Sequence, residues 1–231
     1  MTFFTNNISE PISGEDALHI KNSLRMKVGD SLRVNCNGYD YDCKIAKIDN
    51  CVYLDIIDKN VCYSEPSINI TLWQAMPKGD KFEFIVQKAV ELGVTKIVPV
   101  ETKFTNVNSS NFNKKIDRYN KISKESAKQC NRGLIPLIET VEKFEKVLQR
   151  VKNNAIILYE EEFDSKNFQD LTFDAADCNI IIGSEGGFAR EEILLAKDYG
   201  IPPVWLGKRI LRCETASLVA LSVIMYKSGN L

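Results

Sequence analysis

Two glutamates and two arginines stand in glycine-bearing segments near the C-terminal end of the sequence. Glu185 lies within Gly183-Ser184-Glu185-Gly186-Gly187-Phe188, straight after the apolar pair Ile181-Ile182. Arg209, Arg212 and Glu214 lie within Leu206-Gly207-Lys208-Arg209-Ile210-Leu211-Arg212-Cys213-Glu214-Thr215-Ala216. A guanidinium can hold two acceptors in one plane. A carboxylate can take a proton, or pair with a guanidinium and merely keep the loops in shape. Glu214 can also sit at the positive end of the helix that follows it. Glycine lets the chain turn at positive φ and lets a ligand approach the main chain without meeting a Cβ. Each segment follows a strand-like run and leads into a helix-like one, so N–H groups at a helix start are open to polar ligand atoms. Together the segments point to a small molecule gripped by main chain. The Gly-x-Gly-x-x-Gly spacing of dinucleotide sites is missing, as is the Gly-Lys-Ser/Thr of phosphate loops. Those ligands are therefore disfavoured.

The elements that would carry these loops alternate in type. Residues 68–75, 94–100, 155–159, 179–182 and 204–206 read as strands. Residues 81–92 read as an amphipathic helix with Phe82, Ile85, Val86 and Ala89 on one stripe, stopped by Gly93. Residues 114–130 form a second helix with Ile116, Tyr119, Ile122, Ser126 or Ala127, and Cys130 inward; 142–151 form a shorter one. Such alternation predicts an α/β domain on a largely parallel sheet. Residues 214–225 are apolar nearly all round, so that helix needs cover on every side, from the core or from a second subunit. The first third is different: 31–36, 40–48 and 51–57 are strand-like, with Asn37-Gly38 suited to a tight hairpin turn. Ser13 is the expected cap of a helix running to about Leu24. A boundary at 63–67, around Pro66, divides the chain into domains 1–65 and 66–231.

Charge is unevenly spread. Residues 1–65 carry seven Lys/Arg and ten Asp/Glu, residues 78–132 carry twelve and six, and residues 133–231 carry eleven and fifteen. A basic stretch in an otherwise acidic chain is either a phosphate footprint or a solvated helix face, since Lys114, Lys115, Arg118, Lys121, Lys124 and Lys128 fall at helical spacings. The seven cysteines are scattered without a Cys-x-x-Cys pair and His19 is the one histidine, so no metal site is expected. No apolar stretch is long enough to span a membrane and residues 1–11 lack a secretion-signal pattern, so a cytoplasmic protein is expected.

The two glycine segments and the helix between them, together with Lys81-Phe82-Glu83-Phe84-Ile85-Val86-Gln87-Lys88-Ala89-Val90-Glu91-Leu92-Gly93-Val94, Glu125-Ser126-Ala127-Lys128-Gln129-Cys130-Asn131-Arg132 and His19-Ile20-Lys21-Asn22-Ser23-Leu24-Arg25-Met26, carry a resemblance. The chain resembles, in order and along almost its whole length, the bacterial small-subunit (16S) ribosomal RNA uracil-N3-methyltransferases of the SPOUT class. Three positions depart from the family pattern: Ser184 stands where Pro is usual, Cys213 where Thr is usual, and Ala189 near where Ser or Thr often caps the next helix.

The resemblance implies a SPOUT α/β trefoil-knot methyltransferase domain behind a small N-terminal PUA-like β-barrel, working as a homodimer on ribosomal RNA or the small subunit, with neither membrane nor metal. It implies S-adenosylmethionine as cofactor, held by Ile182, Gly183, Ser184, Glu185, Gly186, Gly187, Leu206, Gly207, Ile210 and Leu211. Methylating N3 of uracil needs the uracil anion stabilised or its proton removed. Arg212 is the first choice for the cation, as a buried guanidinium, and Arg209 the second; Glu185 is the preferred carboxylate. RNA contacts are assigned to His19, Arg25, Lys81, Lys88, Gln129 and Arg132. A methyltransferase acting on another RNA nucleotide, or a non-catalytic RNA-binding assembly factor, is the alternative.

Overall fold

Apolar strand runs separated by amphipathic helices assemble into a parallel sheet. The computed structural model describes residues 2–161, 165–173 and 176–231. Contacts divide the chain into two units, Met1–Glu65 with Ala127–Ile135, and Pro66–Ser126 with Pro136–Leu231.

In the first unit, strands β1 (Thr2–Phe4), β2 (Ser31–Cys36), β3 (Tyr39–Ile48) and β4 (Val52–Val61) form one sheet in the order β1-β2-β3-β4. β1 runs parallel to β2; the other pairs are antiparallel. The β2–β3 turn uses Asn37 at φ 53° and Gly38 at φ 79°, the doubly positive geometry that matches strand twist. β4 runs beyond the apolar residues that announce it, because Asp58 to Val61 pair with Asp42 to Tyr39. That end is exposed, so no alternation marks it in the sequence. Helix α1 (Gly14–Leu18) continues as a wider turn through His19–Ser23. Ser13 occupies its cap position but its side chain makes no cap bond, which corrects the expectation. Phe3, Ala17, Ile20, Leu32, Val34, Cys43, Ile45 and Val52 form the core. Residues 127–135 pack with this unit although they follow Pro66 in sequence.

In the second unit, β5 (Asn69–Ala75), β6 (Lys96–Glu101), β7 (Leu137–Ile138), β8 (Glu142–Lys143), β9 (Ile156–Leu158), β10 (Lys166–Asn167), β11 (Asp177–Ile182) and β12 (Pro203–Trp205) pair in the order β10-β12-β9-β11-β5-β6-β7, with β8 also on β6. All of these pairings are parallel. The helices are α2 (Lys81–Glu91), α3 (Ser109–Asn113), α4 (Ile116–Gln129), α5 (Phe144–Arg150), α6 (Arg190–Asp198) and α7 (Cys213–Lys227). α2 buries Phe82, Ile85, Val86 and Ala89. Gly93 ends it at φ +87°, and a Cβ there would lie 2.6 Å from Met225 Cε. That glycine therefore serves both the turn and the close approach of α7. α7 buries Cys213, Ser217, Ala220, Leu221, Ile224 and Met225, while Leu218, Val219 and Val223 stay half-buried.

Candidate active site

Strand order decides what the two glycine segments can do together. β9 lies between β11 and β12, so the segments leaving β11 and β12 flank the end of β9. Ligands of open parallel sheets bind at this carboxyl edge. Both segments line one cavity of 410 Å³, with Leu158, Tyr159 and Glu160 from the end of β9 and Lys81 from α2. A hollow of 590 Å³ opens at the opposite ends of β9, β11 and β12, but it carries neither glycine segment.

The first segment is a tight turn closed by Gly187 N–H donating to Ser184 O at 3.0 Å. Gly187 takes φ +64°, whereas Gly183 and Gly186 are needed for space instead. A Cβ on Gly183 would lie 3.0 Å from Gly187 Cα, and one on Gly186 would lie 2.9 Å from Phe104 Cβ. In the second segment Gly207 holds φ +125°, and a Cβ there would meet nothing within 4 Å, so its main chain is open to a ligand. Fully buried Gln74 on β5 anchors the first turn: its amide donates to Gly183 O at 3.2 Å and Ala75 O at 3.1 Å, and its Oε1 accepts from the Ser217 hydroxyl of α7 at 2.6 Å. Ala189, a poor cap, is relieved by buried Glu192. That carboxylate accepts from Ala189 N at 2.9 Å and from Lys103 N at 2.8 Å.

Charges at the cavity are arranged differently from the expectation. Lys81 is an ion-pair partner here: its Nζ donates to Glu185 Oε1 at 2.7 Å and lies 3.8 Å from Glu214 Oε2. Glu185 also accepts from Lys78 N at 3.2 Å. Partial burial opposes the charge on Glu185, but the Lys81 ammonium and the loop amides outweigh it and hold the carboxyl below its ordinary range. For Glu214, too, burial works against the charge, and its own amide, the Cys213 thiol, Lys81 and Arg212 together keep the carboxyl low. The hydrogen bond to Glu185 raises the pKa of Lys81. Cys213 is buried, donates to Glu214 Oε2 at 3.2 Å, and is pushed up to about 12, mainly by burial; a thiol so perturbed is no nucleophile. Arg209 and Arg212 both line the cavity. Arg209 and Arg212 are both exposed, so Arg212 is not the buried guanidinium expected, and it forms no ion pair with Glu185 or Glu214 among the described residues. Ile182, Ser184, Leu206, Ile210 and Leu211 line the cavity as well, though Ile210 is 86% exposed. Ser184 Oγ is buried without a hydrogen-bond partner.

The residues assigned to RNA behave unequally. Arg25, at φ 52°, and Gln129 are exposed, and Lys88 pairs with Glu91 one turn along α2. His19 packs toward Phe3 with ring centroids 6.3 Å apart, and its Nε2 is buried without a partner. Arg132 is a correction. It is 3% exposed and forks onto Glu65, Nε to Oε1 at 2.9 Å and an Nη to Oε2 at 2.8 Å, so its guanidinium has no face left for a phosphate. Lys128 is equally buried, 2.5 Å from Asp16. No group of His, Cys, Asp and Glu able to hold a metal occurs among the described residues. No helix among them is long and apolar enough to cross a membrane. Lys81 and Glu160 are charged cavity residues that sequence reading does not place there: the first reads as an RNA contact, and no signal marks the second.

Comparison with known proteins agrees with this geometry. A model of the RNA methyltransferase domain matches residues 64–225, and one of the RNA methyltransferase PUA domain matches 12–50. The chain is 32% identical to ribosomal RNA small subunit methyltransferase E of Bacillus subtilis, over 94% of this chain and 90% of that protein. It is 38% identical to the protein of the same name from Mesomycoplasma hyopneumoniae, over 73% and 74%. A Legionella pneumophila methyltransferase solved with bound SAM superposes at TM-score 0.84, with 29% identity over 97% of this chain and 96% of that one. The second unit thus has the SPOUT α/β fold, preceded by a PUA-like unit. With its family model covering most of the chain, and the Bacillus subtilis relative matched over 90% of its length, the chain belongs to the ribosomal RNA small subunit methyltransferase E family of RNA methyltransferases.

Proposed function

We propose that this protein methylates N3 of a specific uridine in small-subunit ribosomal RNA, using S-adenosylmethionine. The observation that carries the reading is the meeting of two glycine turns on one 410 Å³ cavity with Arg209 and Arg212 in its wall. That volume falls within the range of small-molecule sites. The residues fit the cofactor: open main chain at Gly207, the turn at residues 183–187, and the orphaned Ser184 hydroxyl all suit a nucleoside with an amino-acid tail. When bound, the cofactor supplies a methyl group on a positively charged sulfur.

Arg212 stabilises negative charge on a uracil carbonyl oxygen as N3 gives its proton to solvent water, with Arg209 in support. Glu185 and Glu214 are held low, so neither is a strong base at neutral pH. Glu185 instead acts by fixing Lys81 and the first turn. Contacts to the RNA fall to Arg25, Lys88, Gln129 and His19 and to the basic stretch around Lys114, Lys115 and Lys121. The half-buried apolar residues of α7 are covered by a second copy, making a homodimer, and work on ribosomal RNA puts the protein in the cytoplasm. The deciding experiment incubates purified protein with labelled S-adenosylmethionine and small subunits lacking the modification, then maps the product by mass spectrometry. One methylated uracil at N3 is expected; label on another base, or none, overturns the reading.

A further inference from the structure

The end of β9 brings a carboxylate to the cavity wall that none of the charges above engages. Glu160 follows β9 by two residues, and Tyr159 N–H, donating to Val204 O at 2.9 Å, prolongs the pairing with β12 up to it. Because β9 is flanked by β11 and β12, Glu160 emerges between the two glycine turns. Its carboxylate lies against Gly187: a Cβ there would come within 2.9 Å of Glu160 Oε1. A side chain at 187 would thus displace the carboxylate as well as strain a backbone at φ +64°. Among the described residues nothing donates a hydrogen bond to that carboxylate and no cation pairs with it. Glu185, by contrast, is taken up by Lys81 and the Lys78 amide.

Resting on the function proposed above, we infer that Glu160 holds the ribose diol of the methyl donor. Two vicinal O–H donors match the two oxygens of one carboxylate, the same chemistry by which an acidic residue grips a ribose hydroxyl in nucleotide sites. The other donors of the cofactor have other partners. Its adenine suits main-chain groups, and its α-ammonium suits the Lys81–Glu185–Glu214 cluster on the β5 side of the first turn, where the acids outnumber the base. Gly187 then has a defined duty, which is to leave room for the acid.

Calorimetry on the full chain tests this with wild type, Glu160→Ala and Glu160→Gln. The ligands are S-adenosylmethionine, 5′-methylthioadenosine (which lacks the amino-acid tail) and its 2′,3′-dideoxy analogue. Glu160→Ala is expected to bind the first two about tenfold more weakly, the loss of a charge-assisted hydrogen bond, with Glu160→Gln intermediate and the dideoxy analogue bound alike by all three proteins. Glu160 is exposed, so an unchanged melting temperature is expected to accompany the loss. Equal affinity for S-adenosylmethionine in wild type and Glu160→Ala overturns the inference. So does a loss confined to S-adenosylmethionine, which would assign the acid to the ammonium. Wild type that binds no S-adenosylmethionine sinks the proposed function itself, and this inference with it.

Discussion

Lys81 reads from sequence as an RNA contact, because it falls in one of the motifs that carry the family resemblance. Its ammonium is instead tied to Glu185 and drawn toward Glu214, and this has a pH signature. Glu185 lies below its ordinary 4.5, so the ion pair stabilises fully above that value and is lost as pH falls through the lowered one. Lys81 lies above its ordinary 10.5, so stabilisation is full below that value and lost as pH rises through the raised one. The melting temperature of Lys81→Met should therefore trail wild type by a constant amount at neutral pH, and the gap should close toward both extremes. A gap independent of pH would show that packing, not charge, causes it. Arg212→Ala should slow single-turnover methylation about a hundredfold, the usual loss when one charge-stabilising donor is removed. Gly186→Val must displace Phe104 or the turn; cofactor binding by calorimetry should disappear while the circular dichroism spectrum is retained.

At the level of elements, buried polar groups hold the pieces that the loops depend on. Arg132 and Glu65 form a two-pronged pair, and Glu65 Oε1 also accepts from Gly133 N at 2.5 Å and Leu134 N at 3.2 Å. Removing Arg132 leaves the partly exposed Glu65 carboxylate with the two loop amides alone. Arg132→Met should cost about 3 kcal/mol in urea unfolding, with the salt dependence of RNA binding unchanged. A protein of normal stability but weakened RNA affinity would return Arg132 to the RNA surface. Gln74 joins β5, the first turn and α7 in one hydrogen-bonded chain. Nothing in a strand reading of residues 68–75 foretells this, because a polar residue within a strand carries no period that betrays its partners. Glu192 is similar: the sequence lacks a cap at Ala189, and the glutamate three residues later supplies one from inside the helix.

Across the whole molecule, the basic stretch of residues 78–132 divides by burial. Lys128 and Arg132 are spent on acids inside the first unit, whereas Lys114, Lys115 and Lys121 are exposed. Replacing these three with alanine should weaken RNA binding and flatten the dependence of log K on log salt by roughly two to three units. An unchanged slope would mean the lysines only solvate the helix. The partly covered face of α7 predicts a dimer in sedimentation at micromolar protein, and a monomer there would leave Leu218, Val219 and Val223 without cover.

Much of the site was legible along the chain. Glycine, glutamate and arginine fall in two short segments between strand-like and helix-like runs, and both segments do line one cavity. The Asn37-Gly38 turn, the buried stripe of α2 and its stop at Gly93 follow from local rules, since each depends on residues within a few positions. Strand order is not local. Only the placement of β9 between β11 and β12 brings Glu160 to the cavity, and only the packing of α2 brings Lys81 to Glu185. Residues about a hundred positions apart meet there through the sheet, and no periodicity in a single sequence records which strand lies beside which.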